Sequence, residues 1–264
     1  MNNDCTYMLD YGFNASAAFD NIKNHWTEWA KSVNATKFIV GISGGIDSTC
    51  VAALACKIFG KENVYGISMP NDVQHDIVDV LYVFDCLGIK KLDFNIGDIN
   101  KDILNGIENN AIDVTELTKT NLPPRLRMAV VYAFAQSLNA FVLNTCNLSE
   151  SLMCYDTLYG DDCGSYAPIQ KLTKTEVRKL AEWLGVPIDL VNKTPIDGLQ
   201  ANSDEEAFGF SYYELDKYIR TNNCGLGVMA KILERYNKGK WKRDIIHIVG
   251  PTFDFPDYIQ NINI

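Results

Sequence analysis

The stretch KFIVGISGGIDST (residues 37–49) joins a short β-branched run to a loop with two adjacent glycines, and an apolar segment over 48–59 follows. The run suits a buried strand, and the apolar segment suits a helix. Gly44 and Gly45 allow the backbone to turn its N–H groups inward, and the helix directs its positive end at the same point. Three hydroxyl donors flank the glycines: Ser43, Ser48 and Thr49. The stretch therefore predicts a strand–loop–helix unit that holds a pyrophosphate.

Asp47 is the acidic residue of this loop. A carboxylate does not suit a bare anion, but it suits a Mg²⁺ ion that accompanies one. The loop lacks the G-x-x-x-x-G-K pattern, which disfavours a kinase or another NTPase of the Walker type. The local chemistry therefore favours a site for a metal-bound pyrophosphate.

Strand-like runs alternate with helix-period segments around this unit. The pattern predicts helices over 14–33, 48–59, 72–87 and 121–139, and strands over 37–42, 63–68, 89–96 and 140–145. Such a succession predicts an α/β fold, with a parallel sheet covered on both faces by helices. Ligands of such sheets bind beyond the carboxyl ends of the strands.

The last third of the chain contains helix starts and two long loops. Capping boxes are predicted at Thr173 with Glu176, Ser203 with Glu206, and Ser211 with Glu214. The segments 154–170 and 186–202 are rich in Gly, Asp, Pro and Asn, so they are candidate lids. Since the chain contains no repeat or linker, we expect one domain over 1–264.

Composition limits the classes of function. The 264 residues are 47% hydrophobic and 22% charged, and the net charge of −9 disfavours binding to long nucleic acids. No apolar run reaches the roughly 18 residues that span a membrane, and no signal peptide is predicted. The eight cysteines form no C-x-x-C pair, which favours buried thiols in a reducing compartment. We therefore expect a cytoplasmic protein.

The loop SGGIDS (43–48) resembles the PP-loop of the ATP pyrophosphatases, which split ATP between its α and β phosphates to form an adenylate. From about residue 25 to about residue 250, the chain is identified as a member of the ammonia-dependent NAD synthetases. The segments that carry this resemblance are MPNDVQHDIVDV (69–80), NLPPRLRM (121–128), NTCNLSE (144–150), LTKTEVRKLAEWLGVP (172–187), GLQANSDEEAFGFSYYELDKYI (198–219) and KWKR (240–243).

The resemblance implies an adenine-nucleotide alpha-hydrolase-like (Rossmann-like) fold and an amide-forming ligase. ATP and Mg²⁺ would activate the carboxylate of deamido-NAD⁺ as an adenylate, and ammonia would displace AMP to give NAD⁺. The chain is too short to hold a glutaminase domain as well, so free ammonia or ammonia from a separate partner is implied. The resemblance also implies a homodimer, with the helices at 14–33 and 121–139 as candidate interface elements.

The resemblance implies site residues in three groups. The implied ATP-binding residues are Gly41, Ile42, Ser43, Gly44, Gly45, Ile46, Asp47, Ser48, Gln74, Thr145, Thr157 and Lys174, of which Asp47 and Lys174 are catalytic. The implied Mg²⁺ ligands are Asp47 and Glu150, and the implied acceptor-binding residues are Arg125, Asp161, Trp241 and Lys242. Five of these residues also have a plain alternative: Glu150 as a helix N-terminal acid, Thr145 and Thr157 as turn or cap residues, Lys174 as a solvated lysine and Arg125 as a surface arginine.

Four positions depart from the family pattern, and most lie in the acceptor half of the site. Leu158 replaces a lysine, Ser165 an aspartate, Ile196 a hydroxyl residue and Trp241 a histidine. Two alternatives to deamido-NAD⁺ amidation stay open: a PP-loop ligase for a different carboxylate, and a non-catalytic nucleotide-binding relic. A sulfur-transferring tRNA enzyme is disfavoured, because the chain has neither a C-x-x-C pair nor a basic domain.

Overall fold

A four-stranded parallel sheet forms the centre of the fold. The computed structural model describes residues 12–73, 77–193, 204–243 and 249–251. The strands are β1 (Phe38–Gly41), β2 (Val64–Ser68), β3 (Lys90–Asp93) and β4 (Phe141–Val142), in the order β3-β2-β1-β4. In register, Phe38 lies opposite Val64 of β2 and Phe141 of β4. The predicted α/β class with a parallel sheet is confirmed.

Helices pack on both faces of this sheet. The helices are α1 (Ala15–Ser32), α2 (Ile46–Phe59), α3 (Ile77–Leu87), α4 (Gly97–Glu108), α5 (Glu116–Leu138), α6 (Leu148–Met153), α7 (Lys174–Trp183), α8 (Ile188–Val191), α9 (Asp204–Phe208), α10 (Tyr212–Thr221), α11 (Leu226–Lys238) and α12 (Lys240–Arg243). Residues of α1, α2, α3 and α7 share one apolar core with the sheet, and α5 packs on the opposite face.

The strands divide their side chains between the two faces with a period of two. Phe38 and Val40 enter the core under α1 and α2, whereas Ile39 packs with Val131 of α5. Trp26 of α1 is fully buried and stacks on Tyr166, with 5.0 Å between ring centroids. This aromatic packing anchors α1 to the 154–170 segment.

Most predicted bounds lie within three residues of the observed ones, and two helix starts differ by more. The helix predicted over 121–139 begins five residues earlier, because the side chain of Thr115 caps it and it continues through Pro123 and Pro124. The helix predicted over 72–87 begins at Ile77 within the described residues. Helix α4 was not predicted, although Ile99, Ile103 and Ile107 follow helical spacing.

The C-terminal third builds a second apolar cluster, in which α6 packs against α10 and α11. The capping boxes at Thr173 and Ser211 are confirmed, whereas Ser203 lies outside the described residues. Segment 154–170 holds only single bridge positions, at Leu158 with Asp162 and at Tyr166. Segment 186–202 contains α8, and its part from 194 onward lies outside the described residues. Their role as lids stays a prediction.

The structure also tests the predictions about membrane spans and cysteines. None of the helices in the described ranges combines the length and the apolar character that crossing a bilayer requires. The cysteines of those ranges are free thiols, but the prediction that they are buried holds for only two of the seven. Cys50 and Cys146 are buried, whereas Cys86 is exposed.

Candidate active site

The loop between β1 and α2 makes a tight backbone turn at the carboxyl edge of the sheet. Gly44 has φ +79°, a left-handed conformation that L side chains rarely adopt. A Cβ atom here would lie 3.0 Å from Cβ of Asp79 and 3.3 Å from the backbone nitrogen of Val80. Glycine at position 44 therefore meets both a conformational and a steric requirement of the turn.

The hydroxyl groups of the loop fix its shape. Ser43 Oγ accepts a hydrogen bond from the Gly45 N–H at 3.2 Å. Ser48 Oγ and Thr49 Oγ1 donate to the Gly45 carbonyl at 3.0 and 2.8 Å. No side chain in the described part of the chain caps α2, and the first N–H groups of a helix lack intrahelical acceptors. These N–H groups and the helix dipole can therefore bind a phosphate.

Three charged side chains from different parts of the chain meet beside this loop. Lys174 Nζ lies 2.5 Å from Asp47 Oδ2 and 2.9 Å from Glu150 Oε1. The Lys174 side chain is 4% exposed, and the two carboxylates are 15% and 16% exposed. Since β4 lies directly beside β1, residues that follow these two strands are brought to the same edge of the sheet. Asp47, Glu150 and Lys174, which the sequence assigned to one site, are indeed together.

Asn147 links the two carboxylates, and sequence analysis did not assign it to the site. Its Nδ2 donates to Asp47 Oδ1 at 2.9 Å, and its Oδ1 accepts from the Glu150 N–H at 3.0 Å. Glu150 Oε2 in turn accepts from the Asn147 N–H at 3.3 Å, which completes a capping box. The Asn-x-x-Glu spacing indicates that capping box, but not the contact with Asp47.

Burial and charge oppose each other in this group. Burial raises the pKa of Glu150 above its ordinary value, and the nearby Lys174 ammonium limits that rise. Burial alone would lower the pKa of Lys174, but Asp47 and Glu150 outweigh it and hold the pKa above its usual range. Lys174 is therefore a permanent cation, held where phosphates would meet the loop.

The acceptor half of the predicted site is organised by the 157–162 turn. The Thr157 N–H donates to Asp161 Oδ1 at 2.7 Å, and Thr157 Oγ1 donates to Asn121 Oδ1 of α5 at 3.1 Å. Arg125, which is exposed, donates from Nε to the Leu158 carbonyl at 3.2 Å. Helix α5 therefore supports the turn through contacts at both ends of Thr157–Leu158.

The KWKR segment reaches this turn through its lysine. Lys242 Nζ donates to the carbonyl of Asp156 and forms an ion pair with its carboxylate. The Lys242 side chain is only 12% exposed. Trp241 is 61% exposed. Ser165, at the other end of the loop, donates its backbone N–H to the Val142 carbonyl of β4 at 2.7 Å. Direct contact of Lys242 or Trp241 with an acceptor stays a prediction.

The other predicted residues divide by position. Gly41 ends β1, Ile42 follows it and Thr145 follows β4, so all three lie at the carboxyl edge of the sheet. Gln74 and Ile196 lie outside the described residues.

Within the described ranges, no group of three or more His, Cys, Asp or Glu side chains could hold a metal ion. Asp47 and Glu150 offer two hard oxygen donors, a set that suits Mg²⁺ when phosphates and water complete the coordination.

Comparison with known proteins decides the family. The NAD synthase family model matches residues 18–245. The chain belongs to the NAD synthase family. The predicted membership, and with it the prediction of an amide-forming ligase, is confirmed.

Individual members of the NAD synthase family match over most of their length. The chain is 41% identical to the NH₃-dependent NAD⁺ synthetase of Thermococcus sibiricus over 73% of this chain and 75% of that one. It is 34% identical to the enzyme of the same name from Pyrococcus horikoshii, over 89% and 96% of the two chains. It also superimposes on the solved structure of NMN synthetase from Francisella tularensis with a TM-score of 0.82 and 28% identity, over 92% of this chain and all of that one.

Proposed function

We propose that this protein forms NAD⁺ from deamido-NAD⁺, ATP and ammonia. The observation that carries the proposal is the convergence of Asp47, Glu150 and Lys174 beside an uncapped helix N-terminus. Curated relatives described as NH₃-dependent NAD⁺ synthetases support the choice of substrate and nitrogen donor.

The reaction has two displacements. An oxygen of the acceptor carboxylate attacks the α-phosphorus of ATP, and the bond to pyrophosphate breaks, which leaves an acyl-adenylate. Ammonia then attacks the acyl carbon, the bond to AMP breaks, and the nitrogen loses a proton to give the amide. Such chemistry needs positioning and charge neutralisation more than a covalent nucleophile.

The residues of the chain supply these two requirements. The N–H groups of the PP-loop and α2 would bind and orient the β- and γ-phosphates, and Lys174 would neutralise charge that develops on the leaving pyrophosphate. Asp47 and Glu150 would hold Mg²⁺, which supplies electrostatic stabilisation of phosphate charge when bound. The 157–162 turn with Arg125 would hold the acceptor.

A second acceptor is favoured by a specific similarity. The Francisella structure is described as an NMN synthetase, and amidation to NMN requires the carboxylate of nicotinate mononucleotide. Leu158 in the acceptor turn also removes a cation that the family pattern places there. A smaller acceptor with one phosphate fewer is therefore the alternative to deamido-NAD⁺.

Product release distinguishes these candidates. The protein is incubated with Mg·ATP, ammonium and either deamido-NAD⁺ or nicotinate mononucleotide, and AMP and pyrophosphate are quantified. We expect equal amounts of AMP and pyrophosphate, together with NAD⁺, and a higher kcat/KM for deamido-NAD⁺. A higher kcat/KM for the mononucleotide would assign the alternative acceptor. The absence of AMP with both acceptors would contradict the adenylation proposal, and Asp47→Asn serves as the inactive control.

We also propose a cytoplasmic homodimer. In the single chain, the aromatic face of α1 is already buried against the sheet. By contrast, Leu117 at the start of α5 is 70% exposed, and Ile112, just before α5, is 59% exposed. These residues favour α5 over α1 as the interface element. Light scattering at micromolar concentration should give twice the chain mass of 29.6 kDa, and a single-chain mass would contradict the dimer.

A further inference from the structure

A buried carboxylate behind the site connects the two helices that carry Glu150 and Lys174. Asp216 of α10 is 1% exposed. Its Oδ1 accepts a hydrogen bond from Ser149 Oγ at 2.5 Å, and its Oδ2 accepts one from the Thr175 N–H at 2.7 Å. Ser149 directly precedes Glu150, and Thr175 directly follows Lys174. Asp216 therefore holds a chain neighbour of each site residue.

The hydroxyl of Ser149 extends this contact to Lys174 itself. Ser149 Oγ accepts from the Lys174 backbone N–H at 3.0 Å, while its own proton is donated to Asp216. Lys174 and Thr175 are the first two residues of α7, whose N–H groups have no intrahelical acceptor. Ser149 and Asp216 satisfy both groups, and a carboxylate is also favoured by the helix dipole at this end.

A second buried contact holds the same end of α7 independently. Arg220, also on α10, donates to both carboxylate oxygens of Glu176 at 2.8 and 2.7 Å and to the Lys171 carbonyl at 2.7 Å. These side chains are 3% and 2% exposed. Since this pair ties α10 to α7, the two helices stay associated when Asp216 alone is changed.

We propose that Asp216 is a positioning residue, which sets the separation of Glu150 and Lys174 in the adenylation site. The inference rests on the proposed function, because Glu150 and Lys174 must meet the phosphates of one ATP molecule. A misplacement of about 1 Å in a reacting geometry lowers a rate by about 100-fold. Asp216 touches no reacting atom, and its effect passes through Ser149 and Thr175.

The substitution Asp216→Asn is a sharp probe of this role. Ser149 and Thr175 both donate to the carboxylate, which accepts through two oxygens. An amide of the same shape offers one acceptor and one donor, so either the Thr175 N–H faces another N–H group or the Ser149 hydroxyl proton loses its acceptor. Burial raises the pKa of Asp216 to about 6, so the parent carboxylate is ionised at pH 8. Asp216→Asn therefore changes hydrogen bonding and charge with little change in volume.

Leu215→Ala is the matched control on the same helix. Leu215 is fully buried in the second apolar cluster, beside the polar network. Both variants are assayed at pH 8, at a temperature where circular dichroism reports a folded protein. Asp216→Asn should lower the kcat for AMP release by about 10-fold or more and leave the KM of the acceptor within about threefold. Leu215→Ala should lower Tm but leave both constants within about threefold.

Ser149→Ala tests the route of the effect. It removes the bridging hydroxyl and leaves the Asp216–Thr175 contact in place, so we expect a smaller loss of kcat. Because Asp216 acts partly through Ser149, the double variant should lose less than the product of the two single losses. If the loss of kcat in the double variant equals the product of the two single losses, Asp216 does not act through Ser149, and the proposed route is overturned.

Other outcomes also decide the proposal. A kcat of Asp216→Asn close to that of the parent, or an equal loss in Leu215→Ala, would overturn it. If Asp216→Asn does not fold, Ser149→Ala carries the test alone, and an unchanged kcat overturns the proposal.

If the parent releases no AMP, the proposed function fails, and calorimetry with α,β-methylene-ATP and Mg²⁺ decides the positioning role separately. A loss of affinity in Asp216→Asn but not in Leu215→Ala supports it, and equal affinities overturn it.

Discussion

Replacement of Lys174 by methionine perturbs the charge balance at the centre of the site. Its ammonium lies 2.5 Å from Asp47 and 2.9 Å from Glu150, and its side chain is 4% exposed. Methionine retains an apolar side chain of similar length and removes the charge. The two carboxylates then share a poorly hydrated space without their counter-cation, which opposes folding.

The size of the effect follows from burial. Removal of one partner of a buried ion pair costs about 3–5 kcal/mol of the free energy of unfolding. Because the carboxylates of Asp47 and Glu150 retain some contact with solvent, at 15% and 16% exposed, the lower end applies. A loss of about 3 kcal/mol in a chain of this size lowers Tm by roughly 6–12 °C.

The loss should depend on pH in a defined direction. Burial raises the pKa of Glu150, and Lys174 opposes that rise, so the pKa rises further in Lys174→Met. The folded variant then keeps a proton that the unfolded chain, with a glutamate pKa of about 4.3, has lost at neutral pH. Its free energy of unfolding is therefore higher at pH 6 and falls as the pH rises through the folded-state pKa.

Thermal unfolding of metal-free protein at pH 6 and pH 8.5 measures this. Lys174→Met should be further below the parent at pH 8.5, and Lys174→Met/Glu150→Gln should regain most of the loss because one carboxylate is gone. Lys179→Met is the control on the same helix; with 37% of its side chain exposed, it should change the free energy of unfolding by less than about 0.5 kcal/mol. An equal deficit at both pH values, or no recovery in the double variant, would refute the reasoning.

Three further changes test the site and the core. Asp47→Asn and Glu150→Gln should each abolish AMP release with the circular dichroism spectrum retained, because the metal would lose a ligand; near-normal turnover at saturating Mg²⁺ would contradict the metal role. Leu158→Lys should lower the KM for deamido-NAD⁺ by about 10- to 150-fold through a charge-assisted hydrogen bond; an unchanged KM would mean that another group makes this contact. Trp26→Ala should lower the free energy of unfolding by about 3–5 kcal/mol in a denaturant titration, since the side chain is fully buried; a loss below about 1 kcal/mol would contradict its place in the core.

Local features of the chain were predictable because they depend on a few neighbouring residues. The strand at 37–42, the loop glycines and the helix after them follow from hydrophobic period and backbone freedom. The capping boxes at Thr173 and Ser211 follow from side chains three residues apart. The predicted start of α5 was wrong because the Thr115 side chain caps the helix upstream, and the helix continues through Pro123 and Pro124.

The sequence by itself therefore determined most of the alternation of strands and helices, the strand–loop–helix unit at 37–59 and the family. The tertiary structure decided which side chains meet. Asn147 contacts Asp47 across 100 residues of chain, and Asp216 reaches Ser149 across 67. Spacing along the chain contains no information about such partners, because the contacts form only when β4 pairs with β1 and α10 packs beneath α6 and α7. Long-range packing, and not local propensity, places the charges of the site within hydrogen-bond distance.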